Sequence, residues 1–329
     1  KPYGGPECLA LESEWAKAFG SKYAVAVNSA TSGLLAACMA IEIEHGDEVI
    51  VSPYTMSATA AAPKLMGAKI VFADIEDETF CLDPVEVSNA ITAKTKAVIV
   101  TNLFGHPARL YELRKICDEQ GVYLIEDNAQ GIFAKESIAY AGTVGHIGVF
   151  SLNVHKHLQT GEGGICVTNS PELSRKLREA MNHGELRGGV LGLNLRMTEL
   201  TASTARSQLS KGENIMKGRR EVGKMLSHYV KHFKLPIIPP KVRDNCETSF
   251  YCWAGLLEDP EIDCKMPKIF HRGYVDPLYT LPALRQDIYL GVVEEVQRKI
   301  ILVEVCAWDL EQEEIADAVS ALGKSIRGR

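Results

Sequence analysis

Over its first two thirds the chain alternates short apolar runs with helical stretches, and that alternation leaves few folds open to it. The runs are Tyr23–Val27, Glu48–Val51 and residues 69–73, 97–101, 123–125, 149–151 and 165–168. Ahead of them Leu11, Trp15 and Phe19 recur every four residues before Gly20, the pattern of an amphipathic helix with a C-terminal stop. Residues 31–44, stopped near Gly46, and residues 109–120 read as helices between the runs. Strands alternating with helices of about a dozen residues predict an α/β fold. Its sheet is expected to be mostly parallel and seven-stranded, flanked by helices. Continuous apolar runs, rather than alternating ones, fit strands buried on both faces.

The pattern changes near residue 200. Residues 198–209 and 213–233 read as long helices of mixed charge, and Pro236, Pro239 and Pro240 then break the chain. A strand at 251–256 and a final helix within 310–326 predict a smaller C-terminal α+β domain. The expected division is 1–210 for the large domain and 211–329 for the small one with its linking helix. A length of 329 residues fits two such units. The net charge of -6, from 36 basic and 42 acidic residues, argues against a nucleic-acid binder. No apolar run approaches the 18 or so residues that a membrane helix requires. The nine cysteines are widely spaced and form no C-x-x-C, so buried reduced thiols and a cytoplasmic location are expected.

In an open parallel sheet, ligands gather beyond the carboxyl ends of the strands. Four polar segments fall at such places. Asn28-Ser29-Ala30-Thr31-Ser32-Gly33 follows a strand and opens a helix, where free N–H groups and the dipole favour an anion; an ordinary helix cap by Ser29 or Thr31 is the simpler alternative. Glu126-Asp127-Asn128-Ala129-Gln130 ends a strand in two carboxylates. One of them can hold a cationic ligand nitrogen, a metal or a ribose, or cap a helix. His155-Lys156-His157 precedes the Gly-rich turn Gly161-Glu162-Gly163-Gly164. Lys156 is either a solvated lysine or one whose pKa is lowered by its neighbours for Schiff-base chemistry. The glycines follow the lysine, so this is no P-loop, and the two histidines at i, i+2 do not make a metal site. Gly192-Leu193-Asn194-Leu195-Arg196-Met197 is the fourth segment, just before the long helices.

Together these segments resemble the DegT/DnrJ/StrS family of pyridoxal-phosphate aminotransferases of fold type I. The resemblance runs from Gly4-Gly5-Pro6-Glu7 through Ala26-Val27-Asn28-Ser29-Ala30-Thr31-Ser32 and Gly46-Asp47-Glu48-Val49-Ile50-Val51. It continues through Ile125-Glu126-Asp127-Asn128-Ala129-Gln130 to Ser151 and, five positions on, Lys156 before Gly-Glu-Gly-Gly. It implies a pyridoxal 5'-phosphate cofactor. Lys156 then matches the Schiff-base lysine, which also moves the proton, and Asp127 the carboxylate paired with the pyridine nitrogen. Gln130 matches the position near the 3-hydroxyl. Thr31, Ser32 and Ser151 match phosphate contacts, and Asn194 an asparagine reaching the phosphate of the other subunit in a homodimer with a shared site.

The same resemblance implies an amino-acid donor, L-glutamate or L-glutamine, and a keto-sugar acceptor, commonly nucleotide-linked, in amino-sugar biosynthesis. A keto-inositol is the alternative acceptor. The family's dehydratases carry histidine in place of the lysine, and counting five from Ser151 reaches Lys156, which favours transamination. A non-catalytic homologue is disfavoured by the intact Lys156 and Asp127. Met56 stands where the family usually has a ring-stacking aromatic residue or histidine; its thioether can pack on a ring. Tyr54, next but one to it, is expected to point elsewhere. Lys22, Arg187, Arg196 and Arg219 are candidate cations for a diphosphate, each with a solvated-face alternative.

Overall fold

A computed structural model describes residues 4–184, 191–262, 264–305 and 310–327. Seven strands build its large sheet: β1 (Tyr23–Val27), β2 (Glu48–Val51), β3 (Lys69–Phe72), β4 (Thr95–Thr101), β5 (Tyr123–Asp127), β8 (Ile147–Ser151) and β9 (Gly164–Thr168). Their order is β1-β9-β8-β5-β4-β2-β3. The pairings from β8 through β5, β4 and β2 to β3 are parallel, and only β9 runs against its two neighbours. The α/β fold with a mostly parallel sheet is therefore as expected.

The two faces of this sheet feed two different cores. Along β8 and β9, Val149 and Cys166 point into one cluster, shared with Leu34 and Ala37 of α2 (Ala30–Ala40). Phe150, Ile165 and Val167 point into the other, shared with Leu11, Trp15 and Phe19 of α1 (Pro6–Phe19). The period-2 geometry of strands produces this division, and it explains why the strands read as unbroken apolar runs. Gly20 ends α1 in the left-handed conformation, φ 71°. Ser29 caps α2, and that helix stops at Ala40, short of residue 44, where Glu42 turns to φ 58°.

A second sheet is antiparallel, in the order β10-β12-β14-β13, from Ile237–Ile238, Trp253–Leu257, Ile300–Val303 and Phe270–Arg272. Val222, Leu226 and Val230 of α8 (Gly212–His232) cover it together with Ile315, Val319 and Leu322 of α10 (Gln312–Arg327). Nearly two turns earlier, Met216 of α8 belongs to the α1 core, so this helix joins both regions. A small ribbon of β6 (Lys135–Glu136), β7 (Ala139–Tyr140) and β11 (Cys246–Glu247) joins them again. The run 251–256 predicts a strand from Tyr251, but β12 begins at Trp253. Phe250, at φ 49°, turns the chain first, and the N–H of Cys252 is spent on the carbonyl of Phe104 (3.3 Å).

The eight described cysteines are all free thiols and six are buried; Cys306 lies outside the described residues. Burial pushes Cys38, Cys81 and Cys166 up to about 12, which makes them unreactive packing residues. Among the described residues no helix is long and apolar enough to cross a membrane.

Candidate active site

One edge of the large sheet gathers the polar segments. Val27 pairs with Gly164, and Gly164 with Ser151, so β1, β9 and β8 meet there in one row. On the far side of β8, Asp127 at the end of β5 pairs with Thr101 at the end of β4. The first turn of α2 rests on this row. A Cβ on Gly164 would lie 2.6 Å from the Ser29 carbonyl carbon and 2.7 Å from the Ala30 nitrogen, so glycine is required for that approach. Ser29, and not Thr31, is the cap. Its hydroxyl accepts from the Ser32 N–H (3.1 Å) and donates to the Ser32 Oγ (3.0 Å). Thr31 is left exposed beside the helix N-terminus, and Ser151 is buried next to it in the row.

Strand geometry separates the two carboxylates of β5. Glu126 turns away and accepts from the N–H groups of Gly142 (2.5 Å), Gly145 (2.6 Å) and Val144 (2.8 Å) and from Asn102 Nδ2 (3.1 Å). Asp127 is 4 % exposed. It accepts from Thr59 Oγ1 (2.7 Å) and the Ala129 N–H (3.1 Å). Thr59 belongs to α3 (Ala58–Leu65) and joins a hydroxyl chain through Thr55 (3.3 Å) to Thr101 (3.1 Å). Burial pushes the Asp127 carboxyl up, against the pull of those donors and of the Lys156 charge. Both partners of Asp127 are neutral, so its ionised form is suited to a cationic ligand atom.

Lys156 sits in the loop between β8 and β9. Its Nζ lies 4.4 Å from the centroid of the Tyr251 ring. His157, next to it, is fully buried among protein atoms and binds the Ser249 carbonyl through Nε2 (2.9 Å). Gln130 is buried and held at both ends of its amide. Its Oε1 accepts from the Phe104 N–H (2.8 Å), and its Nε2 donates to the Tyr274 hydroxyl (2.9 Å). Tyr274 comes from the second region and meets Phe104 and Tyr54 edge-on, with centroids 4.9 and 5.5 Å apart. Tyr54 points into the interior, as expected, and donates to Gln297 Oε1 (2.8 Å).

The structure thus brings Lys156, Asp127, Gln130, Ser151 and the α2 N-terminus to one edge. Met56 is 53 % exposed, in the loop beyond β2 that leads to Thr59. Asn194 is exposed on the outer side of β1, where Asn28 donates to the Leu195 carbonyl (2.8 Å) and Asn194 bridges to Asn182. The candidate cations separate. Lys22 precedes β1 and so lies at the opposite edge of the sheet from Val27, away from the site. Arg196 binds Asn182 Oδ1, and Arg219 donates to the Val305 carbonyl (3.1 Å). Arg187 lies outside the described residues. Sequence reasoning passed over Thr59, Tyr251 and Tyr274. Thr59 was within reach, since it stands three residues after Met56, a position that the resemblance singles out.

Residues 2–302 match the DegT/DnrJ/EryC1/StrS aminotransferase family. The UDP-N-acetyl-3-dehydro-alpha-D-glucosamine 3-aminotransferase of Acidithiobacillus ferrooxidans is 38% identical over 98% of this chain and 90% of its own length. The GDP-perosamine synthase of Vibrio cholerae is 30% identical, over 83% of this chain and 77% of its own. Among solved structures, the aminotransferase from Psychrobacter cryohalolentis superposes with a TM-score of 0.88 at 26% identity, covering 96% of this chain and 90% of that one.

Proposed function

The chain belongs to the DegT/DnrJ/EryC1/StrS aminotransferase family, and on that premise we propose that it moves an amino group from an amino acid to a nucleotide-linked keto-sugar. It is a pyridoxal-phosphate-dependent aminotransferase, as its family is. The finer reading of acceptor is supported by relatives whose names carry UDP- and GDP-linked sugars. L-glutamate is the proposed donor, with L-glutamine as its substitute. A homodimer is part of the reading, with Asn194 reaching the partner's phosphate seat from its exposed position outside β1.

The residues at the sheet edge fit this cofactor. An anion seat stands at the capped N-terminus of α2, where Thr31, Ser32 and Ser151 would hold the phosphate. A buried carboxylate with only neutral donors, Asp127, would hold the ring nitrogen as a cation. Gln130, with its amide fixed by Phe104 and Tyr274, would face the 3-hydroxyl, and Met56 would cover the ring. Bound there, the cofactor supplies an electron sink and a carrier for the amino group. The chain supplies the rest. Asp127 would keep a proton on the ring nitrogen, Lys156 Nζ would carry the proton between the substrate carbon and the cofactor's aldehyde carbon, and the hydroxyl chain through Thr59 fixes Asp127.

The single observation that carries the reading is the buried, neutrally partnered Asp127 within the field of Lys156. A half-reaction assay tests it: L-glutamate is expected to discharge the visible absorbance of the purified protein, and a nucleotide-linked keto-sugar to restore it. Restoration by free keto-inositols and not by nucleotide sugars would replace the acceptor. Absorbance that glutamate and glutamine both leave unchanged would replace the donor.

A further inference from the structure

The segment that carries Tyr251 is held by a set of ties that the proposed chemistry leaves unexplained. Phe250 adopts φ 49°, a left-handed conformation costly for a bulky residue. Its ring is seated on Gly223 of α8, where a Cβ would come within 2.5 Å of it. Just before it, the Ser249 N–H donates to the Gly105 carbonyl (2.9 Å), and the Ser249 hydroxyl to the Gln130 carbonyl (3.1 Å). The Ser249 carbonyl accepts from His157 Nε2 (2.9 Å). A carbonyl only accepts, so Nε2 carries the proton. Burial pushes the imidazole down to about 4, so it stays neutral and this tie holds through the neutral range. The lysine loop and the Tyr251 segment are thereby pinned together one residue away from Lys156 on one side and two from Tyr251 on the other. The Lys156 amine is over the Tyr251 ring, 4.4 Å from its centroid.

We propose that Tyr251 is a positioning residue for Lys156: its ring seats the protonated amine whenever that amine is not joined to the cofactor, and the His157–Ser249 hydrogen bond keeps the seat in register. The proposal rests on the reading of Lys156 given above. The ring's quadrupole attracts an ammonium and not a neutral amine, so the seat favours the proton-bearing state. An amine that leaves the cofactor then stays within the site, carrying its proton, rather than swinging into solvent. Among the described residues, Asp127 across the site and the neutral His157 beside it feel the lysine's charge. Both remain in place when Tyr251 is changed.

The test uses the full chain freed of cofactor. Its lysines are acetylated competitively over a pH series, and the Lys156 peptide is quantified by mass spectrometry. Tyr251→Leu is expected to lower the midpoint of Lys156 labelling, so that at a fixed pH below the midpoint it labels about three- to tenfold faster. Tyr251→Phe keeps the ring and is expected to label like the parent. If Tyr251→Leu fails to fold by circular dichroism, Tyr251→Met, bulky but without a ring, takes its place with the same expectation. An unchanged midpoint in the folded ringless variant would overturn the proposal, as would an equal shift in Tyr251→Phe. The labelling needs no cofactor, so its failure leaves the Schiff-base reading of Lys156 standing. Conversely, visible absorbance that survives in Lys156→Ala would remove that reading without touching the contact.

Discussion

Glu126 and Asp127 are neighbours on one strand, equally buried among protein atoms, and burial pushes both carboxyls up. They differ in how their oxygens are used. Glu126 accepts four hydrogen bonds, three from the backbone turn 142–145 and one from Asn102, which fills the acceptor capacity of a carboxylate. Asp127 accepts two, from Thr59 and Ala129, and so keeps acceptor capacity that Glu126 has used. The saturated carboxylate fastens a loop to the sheet. The unsaturated one is left available to a ligand. Burial alone does not distinguish structural from functional acids; the count and placement of donors does.

The largest expected effect breaks the structural half of this pair. Glu126→Ala strands three N–H groups, two of them buried, and should cost about 3–5 kcal/mol of stability, read from urea unfolding. Glu126→Gln, if the alanine variant does not fold, should cost about 1–3 kcal/mol, since its amide replaces an acceptor with a donor. A loss below about 0.5 kcal/mol in either would show that the turn does not depend on Glu126.

Asp127→Asn should give the opposite profile. Its transamination rate is expected to fall roughly a hundredfold, about 2.7 kcal/mol of barrier, while the cofactor-free protein is not destabilised. The pH dependence sharpens the point. Both carboxyls are raised in the folded state, so the folded protein holds protons that the unfolded chain has released. Their contribution to stability is therefore complete below the ordinary carboxylate value, about 4, and is lost as pH rises through the raised values. Unfolding of cofactor-free Asp127→Asn across that window should show a shallower loss than the parent. An equally steep loss would contradict the direction assigned to Asp127.

Thr59→Val is the smallest effect. It removes one donor to a charged acceptor and should slow turnover by about tenfold with little change in KM for the donor. A change confined to KM would place Thr59 in substrate binding instead.

The sheet was legible because its strands are buried on both faces: Val149 and Phe150 serve different cores, so the run shows no polar gap. The order of segments along the chain also carried Lys156, Asp127 and Gln130 to one edge, because strand ends in such a sheet face one way. The residues alone left both Glu126 and Asp127 open, because which one faces the ligand depends on the pairing of β5 with β4 and β8, and the resemblance chose Asp127. Two features escaped. The place of Tyr251 depends on the left-handed turn at Phe250, a tertiary fit against Gly223 with no local signature. Tyr274 reaches Gln130 across 144 positions of sequence, a contact that no window on the chain contains.

The central claim, that Lys156 and Asp127 form the reactive pair, is tested most directly by trapping. The purified protein is reduced with borohydride, digested and mapped by mass spectrometry. The account predicts the mass of the reduced cofactor on Lys156, and its loss in Lys156→Ala. Cofactor attached to a different lysine in the folded parent protein would contradict it.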